Sequence, residues 1–253
     1  MKLNSDSIEW SLTYLLKQSD SDLFPRPIEI DVLNELGNDT IKFLSNLDLD
    51  QVKPNPSRRF LVPKGYLAYR KATQLDPLDS IFLTALIYQY GHLLEKKRSI
   101  KRDNRVFSSR FLPDNKGNLY DLHFSWELFW KKCLVKSKDY SYIAKLDISD
   151  FYNQIYHHSV ENQLIESGIP NQVTKWIINL LKSITAGVSR GVPVGPHSVH
   201  LLAETSIDPI DNSLISRGIE FCRYVDDIVL FCNSKKEAEV FVYIIADILD
   251  KQQ

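Results

Sequence analysis

The sequence is poor in sulfur and has no prevailing charge. Among 253 residues there are three cysteines and one methionine, and 31 lysines and arginines meet 32 aspartates and glutamates for a formal charge of −1. Cys133, Cys222 and Cys232 have no zinc-like spacing, so a cysteine-based zinc module is excluded. Cys222 and Cys232 flank a short stretch across which they could face each other, although burial as small hydrophobes is the commoner role. No uninterrupted apolar run is long enough to span a bilayer, and Met1-Lys2-Leu3-Asn4-Ser5-Asp6 lacks the apolar core of a signal peptide. No membrane partner is therefore expected, and a cytoplasmic location follows as the default. Without a net positive charge the whole molecule carries no footprint of a nucleic-acid binder, so any such surface must come from local clustering. What is present is ample apolar material, 43% of residues, enough for one large domain or two smaller ones.

The most informative stretch is Cys222-Arg223-Tyr224-Val225-Asp226-Asp227-Ile228-Val229-Leu230-Phe231, two apolar runs that meet at adjacent carboxylates. Its β-branched and aromatic content favours strands, which places the two acids at or beside a tight hairpin turn. Aspartate is a good turn residue, so a plain surface turn would also explain them. Against that, two adjacent acids enclosed by apolar runs repel each other and resist burial unless a cation or donors offset them.

A metal needs further ligands. Ile143-Ala144-Lys145-Leu146-Asp147-Ile148-Ser149-Asp150-Phe151-Tyr152 supplies a candidate, because a short strand running to Leu146 delivers Asp147 at its end. Two strand-end acids on neighbouring strands could hold the paired magnesium ions of a nucleotidyl-transfer site, about 4 Å apart in such sites. Asp150 reads as a capping or surface group.

The run around Asp226 resembles the Tyr-x-Asp-Asp hairpin of reverse transcriptases, and Asp147 followed by Tyr152 resembles the strand carrying their first metal ligand. Between them Arg190-Gly191-Val192-Pro193-Val194-Gly195-Pro196-His197-Ser198-Val199-His200-Leu201-Leu202-Ala203-Glu204 is similar to a Gly-Leu-Pro-x-Gly-Pro-x-x-Ser-x-x-Leu-Ala-Glu segment of the abortive-infection branch of that family. Phe107-Ser108-Ser109-Arg110-Phe111 likewise resembles a Phe-Ser-x-Arg-Phe segment of that branch. The likeness is clearest over about residues 56–250. It implies an α/β (α+β) fold with fingers and a ferredoxin-like palm sheet that is incomplete, the thumb being absent.

Three regions are expected on that basis. Residues 1–55 form a helical segment, with Ile8, Leu12, Leu15 and Leu16 on one apolar face and a second helical stretch broken near Gly37; it packs on the body or binds a partner. Residues 56–139 form a fingers-like region. There Ser57 to Ala72 alternates basic with apolar or aromatic groups around Pro63-Lys64-Gly65, which predicts a strand, a turn and a returning strand. The resemblance makes Lys64 and Arg70 the phosphate contacts, ahead of Arg58 and Arg59, although a solvated basic hairpin would look the same. A long helix follows Asp76-Pro77, with Asp79 and Ser80 as capping groups. It leads into Lys96, Lys97, Arg98, Lys101, Arg102, Arg105 and Arg110, interleaved with Phe107 and Phe111, a pattern that suits a nucleic-acid backbone and a stacked base. A helix over 123–136 carries Trp126, a core residue or a stacking platform.

Residues 140–253 form the palm-like region. A strand over 141–147 is followed by helices at 159–166 and 171–184, a glycine- and proline-rich connector, a helix from an N-cap at Ser198 to about Ile215, the hairpin, and a helix over 235–250. Where the family palm continues with another strand and a thumb, this sequence stops at Lys251-Gln252-Gln253, which leads to the expectation of a homo-oligomer or a C-terminal partner chain covering an open sheet edge.

The resemblance further implies Mg2+ as cofactor, with Mn2+ able to take its place, held by Asp147, Asp226 and Asp227 and by the backbone carbonyl of Ile148. Tyr152 would lie beneath the nucleotide sugar and exclude a 2′-hydroxyl, while Gly191, Pro193 and Gly195 would approach the base. The partners implied are dNTPs with RNA or single-stranded DNA. The function implied is synthesis of DNA in abortive-infection defence, template-independent or protein-primed. Conventional RNA-templated cDNA synthesis of retron or intron type, and a non-catalytic nucleic-acid-binding or oligomerising fragment, are the alternatives.

Overall fold

The computed structural model describes residues 1–251 apart from Asp103, and of residues 99–102 the backbone only. Helices α1 (Ser5–Gln18), α2 (Ile28–Glu35) and α3 (Asn38–Asn46) come first, then strands β1 (Arg58–Pro63) and β2 (Tyr69–Gln74) and the long α4 (Pro77–Arg102). Helix α5 (Trp126–Lys136) precedes β3 (Tyr142–Asp147), and α6 (Phe151–Gln154), α7 (His157–Glu166), α8 (Asn171–Ile184), α9 (Val199–Ser206) and α10 (Asp208–Ser216) fill the interval before β4 (Glu220–Tyr224). Strand β5 (Asp227–Cys232) and α11 (Lys235–Lys251) close the order. The result is a mixed α/β fold with two antiparallel sheets, β1-β2 and β3-β5-β4.

Strands β4 and β5 are buried on both faces by side chains that alternate along them, as the pleat requires, while the edge strand β3 is exposed or half-buried. Phe221, Ile228, Leu230 and Cys232 join the large core that also holds Ile245 and Ile248 of α11 and Leu214 of α10. Cys222, Val229 and Phe231 point the other way, into a smaller core with Phe107, and with Phe129 and Cys133 of α5. Cys222 and Cys232 thus sit on opposite faces, and Cys222 pairs with Val229 and not with Cys232, which corrects the idea that the two could meet. All three cysteines are buried and free.

The first helices pack on the body. Trp10 stacks on Tyr88 of α4 with ring centroids 4.3 Å apart, and the terminal amine binds Asp48 at 2.5 Å. Gly37 breaks the second helical stretch where expected, at φ +51°, a value that suits glycine.

The β1-β2 hairpin stands out with nearly all of its outer residues exposed. Its base docks on the 191–196 connector through a hydrogen bond from Thr73 N to Val194 O at 2.8 Å. Gly195 allows this approach: a Cβ there would lie 2.6 Å from the Thr73 carbonyl oxygen, and its φ is +137°.

Three local expectations are corrected. Helix 198–215 is two helices, α9 and α10, because Pro209 in the first turn of α10 supplies no amide hydrogen to continue the ladder. The Ser198 side chain caps neither, since its buried hydroxyl has no partner. At the start of α4 the cap is Asp76, which accepts from Leu78 N at 3.0 Å, while Asp79 accepts from Asn55 N and Ser80 donates to Asp20.

Candidate active site

The antiparallel register of β3 and β5 sets Asp147 directly opposite Asp227, and Asp226 occupies the turn between β4 and β5. One carboxylate oxygen from each of these three residues lies within 4.8 Å of the others. Ile148 is tied to the same place by its amide, which donates to the Asp226 carbonyl at 3.1 Å. Burial raises the Asp226 pKa, and repulsion from Asp147 and Asp227 raises it further, while Lys64 on the hairpin loop acts in the opposite direction. Lys145 Nζ, two residues before Asp147, reaches Asp227 at 3.3 Å. Three oxygen donors with mutual repulsion, and one cation in ion-pair reach among the described residues, fit a hard divalent ion such as magnesium.

The turn that presents Asp226 is strained. Val225 has φ +55°, a conformation that costs a β-branched residue on the order of 1–3 kcal/mol and persists only where the surroundings impose it. Two groups hold it: Val225 N donates to Ser108 Oγ at 2.9 Å, and Arg223 Nη1 donates to Val225 O at 2.9 Å. Ser108 in turn donates to Glu204 Oε1 at 2.6 Å. Glu204 Oε2 accepts from Arg98 Nη2 at 3.0 Å and also pairs with Arg223 Nη2 at 3.0 Å, while Arg223 forms a two-pronged pair with Asp211 at 2.9 and 2.7 Å. Arg98, Glu204, Asp211 and Arg223 are all at most 2% exposed.

Tyr152 also lies at the site, close enough for Asp226 to affect its ionisation; its hydroxyl is hydrogen-bonded to His200 Nδ1 at 2.6 Å. Lys64 and Arg70 are exposed on the hairpin, and Lys64 lies near enough to Asp226 for its charge to be felt there. Gly191, Pro193 and Gly195 are buried in the connector. Gly191, at φ +106°, binds Ile155 O through its amide at 2.8 Å and His157 Nε2 through its carbonyl at 2.9 Å. These contacts give the two glycines backbone roles that need no nucleotide. Asp150 is exposed at the start of α6, where its side chain accepts from Asn153 Nδ2 at 2.6 Å and caps no backbone amide, in keeping with a surface group.

The basic stretch, which occupies the last turns of α4 and the segment after it, is committed to internal acids at most of its described side chains. Arg98 is buried as described, and Arg110, 6% exposed, donates to Glu95 at 2.6 Å and lies over the Phe124 ring. Neither reaches a phosphate backbone from there, which corrects both assignments: charges dense along the chain are offset by carboxylates from elsewhere in the fold. Lys97 pairs with Glu166 at 2.6 Å and Arg105 with Glu220 at 2.7 Å. Lys96 is exposed, and the side chains of Lys101 and Arg102 lie outside the described residues. Phe107 and Phe111 are buried and cannot stack on a base. Trp126 is 39% exposed and sets its edge against Tyr224 with centroids 5.3 Å apart.

Ser108, Arg223, Glu204 and His200 were not read as functional from sequence. The available signal was a charged residue embedded in an apolar run, at Arg223 between Cys222 and Tyr224 and at Glu204 after Leu201-Leu202-Ala203; such a residue must find a partner when buried.

The model of the family described as "Reverse transcriptase (RNA-dependent DNA polymerase)" matches residues 90–253. No curated protein matches the chain. Two similar solved chains are from a partial Cas6-RT-Cas1–Cas2 complex and a Cas6-RT-Cas1–Cas2 complex. Each is 17% identical with a TM-score of 0.49 over 97% of this chain, which spans 40% of the first and 25% of the second. The narrower assignment to the abortive-infection branch is corrected accordingly: the matching family is that of reverse transcriptases at large.

Proposed function

The chain belongs to the reverse transcriptase family, and from that premise we propose that it carries out metal-dependent nucleotidyl transfer, making DNA from dNTPs on an RNA template. The observation that supports this most is the meeting of Asp147, Asp226 and Asp227 at one hairpin turn with the basic β1-β2 hairpin near it. In this reading the three carboxylates, with the Ile148 carbonyl, hold Mg2+ or Mn2+. When bound, the metal activates the primer 3′-hydroxyl and offsets charge on the triphosphate and the leaving pyrophosphate.

The chain's own residues do the rest. Lys64 and Arg70 draw the triphosphate toward the carboxylates, and exposed Arg58, Arg59 and Lys71 extend the same positive hairpin. Tyr152 bounds the sugar pocket, where its ring would collide with a ribose 2′-hydroxyl. With Arg98 and Arg110 committed inside, Lys96 is the exposed basic group among the described side chains of that stretch, and it and the hairpin are offered to RNA or single-stranded DNA. The division into a helical segment (1–55), fingers (56–139) and a ferredoxin-like palm (140–253) belongs to this proposal. The order β3-β5-β4 supports it, since a fourth palm strand would pair with the free edge of β3. A protein partner, or a second copy, at that edge is part of the same reading.

Incorporation of labelled dNTP with and without a primed RNA template tests it. Template-dependent extension that disappears in Asp226→Asn is the expected result. A chain that binds nucleic acid but incorporates nothing, alone or with a supplied partner, would instead support a binding role.

A further inference from the structure

Ser108 comes from neither the β4-β5 hairpin nor β3, yet it touches the backbone of the turn that presents Asp226. The segment carrying it runs along the outer edge of β4. Arg223 N donates to Arg105 O at 2.7 Å and Phe107 N donates to Arg223 O at 3.0 Å, so this segment adds a short parallel bridge to the sheet. Arg98 pins the same segment by donating to the Ser108 and Ser109 carbonyls at 2.9 and 2.8 Å. The Ser108 hydroxyl is buried, and its proton is committed to Glu204 at 2.6 Å, which leaves a lone pair for the Val225 amide. Arg223 takes the Val225 carbonyl from the other side. Both peptide groups flanking a residue at φ +55° are therefore gripped by one buried network.

Resting on the reading of Asp147, Asp226 and Asp227 as a metal site, we infer that Ser108 is a positioning residue for that site. Backed by Glu204 and Arg98, it holds Val225 in its left-handed conformation and so sets the direction in which Asp226, the next residue, presents its carboxylate. The same turn relaxed toward negative φ would rotate the Val225–Asp226 peptide and spread the donors. Hydroxyl groups that orient a ligand act in this way at metal sites without touching the ion.

The discriminating element is Val225. Glycine takes positive φ without steric cost, so a turn with glycine at that position needs the serine less. If Ser108 merely fills space, its removal should cost the same whichever residue occupies the turn. Mn2+ affinity of the full chain, measured by titration of the electron paramagnetic resonance signal of free Mn2+, reads this without any activity. Ser108→Ala should weaken Mn2+ binding about tenfold, and in a Val225→Gly background the same replacement should weaken it less than about twofold. Unchanged affinity in Ser108→Ala, or an equal loss in both backgrounds, overturns the inference. Asp226→Asn separates this from the underlying reading: wild-type protein that binds no Mn2+, or binds it equally after Asp226→Asn, defeats the metal site and the inference together. If Ser108→Ala does not fold with Val225 in place, thermal melting in the Val225→Gly background decides. Recovery of a cooperative transition supports the clamp, and continued failure to fold overturns it.

Discussion

The hydroxyl of Tyr152 is 2.6 Å from Nδ1 of His200, and that histidine is held neutral: burial, reinforced by His197, pushes its pKa down to about 4. The two rings meet nearly edge to face at 74°. The tyrosine beside the carboxylates thus has its ring direction fixed by a side chain from α9. Tyr152→Ala or Tyr152→Val should admit ribonucleotides more readily, and His200→Leu should do so to a smaller degree by freeing the ring. The ratio of kcat/KM for dNTP over rNTP is the measurement. General loss of activity is not diagnostic, because removing a packed ring leaves a cavity; an unchanged ratio in all three variants would place the sugar elsewhere.

Asp147 at the end of β3 and Asp226 in the turn between β4 and β5 offer oxygens to one cluster. Replacing either with Asn should reduce nucleotide incorporation to background while the circular dichroism spectrum and melting temperature stay close to wild type. Removing one of three mutually repelling carboxylates should, if anything, stabilise the metal-free fold. Incorporation at the wild-type rate in either variant contradicts the assignment. Asp227→Asn discriminates less, since this residue also begins β5 and pairs with Lys145.

Glu204 stands between Arg98 and Arg223 with almost no solvent access. Glu204→Gln keeps the shape and removes the charge, leaving two guanidinium groups without their shared counter-ion. Breaking one side of a buried pair typically costs about 3–5 kcal/mol, so denaturant titration should show a midpoint shift of that size with the slope unchanged. A loss below about 1 kcal/mol, the range of exposed pairs, would mean that Asp211 and the segment carbonyls suffice.

Asp20 introduces a pH dependence. Burial raises its carboxyl pKa to about 7, partly offset by the hydrogen bond from Ser80, and its Oδ1 has no partner among the described residues. The folded state therefore keeps a proton that the unfolded chain has released, and stability falls as pH rises between about 4 and 7 and levels off above that range. The loss for this one group is up to roughly 4 kcal/mol. Asp20→Asn should flatten that part of the profile and raise the melting temperature at pH 8. A parallel profile for wild type and variant would show that Asp20 ionises freely in the folded protein.

The free edge of β3 bears exposed Tyr142 and Ile143, and nearby α11 exposes Val240 and Tyr243. Unpaired strand edges with apolar side chains favour association. Sedimentation over a concentration series should show a second species that grows with concentration, and Ile143→Lys should suppress it. A single monomeric species throughout, with long products made unaided, would remove the need for any partner at this edge.

The sequence by itself determined the local elements and the order of the functional segments. Period-2 runs of β-branched and aromatic residues around Asp226, and the 3.6-residue stripes of the helices, are written in neighbouring residues, so the hairpin, α4 and α11 were readable within a few positions. The hairpin over 58–74 was likewise legible from its alternation and its Pro-Lys-Gly turn. Tertiary structure decided everything that depends on a partner distant in the chain. It placed Asp147 opposite Asp227, put Cys222 and Cys232 on different faces, and set a serine from the 106–110 segment against the turn. It also turned Arg98 and Arg110 inward, where a run of positive charge had suggested an outer surface. Whether an arginine is solvated or paired is fixed by which carboxylates the fold brings within about 3 Å of it, and neither composition nor periodicity carries that information.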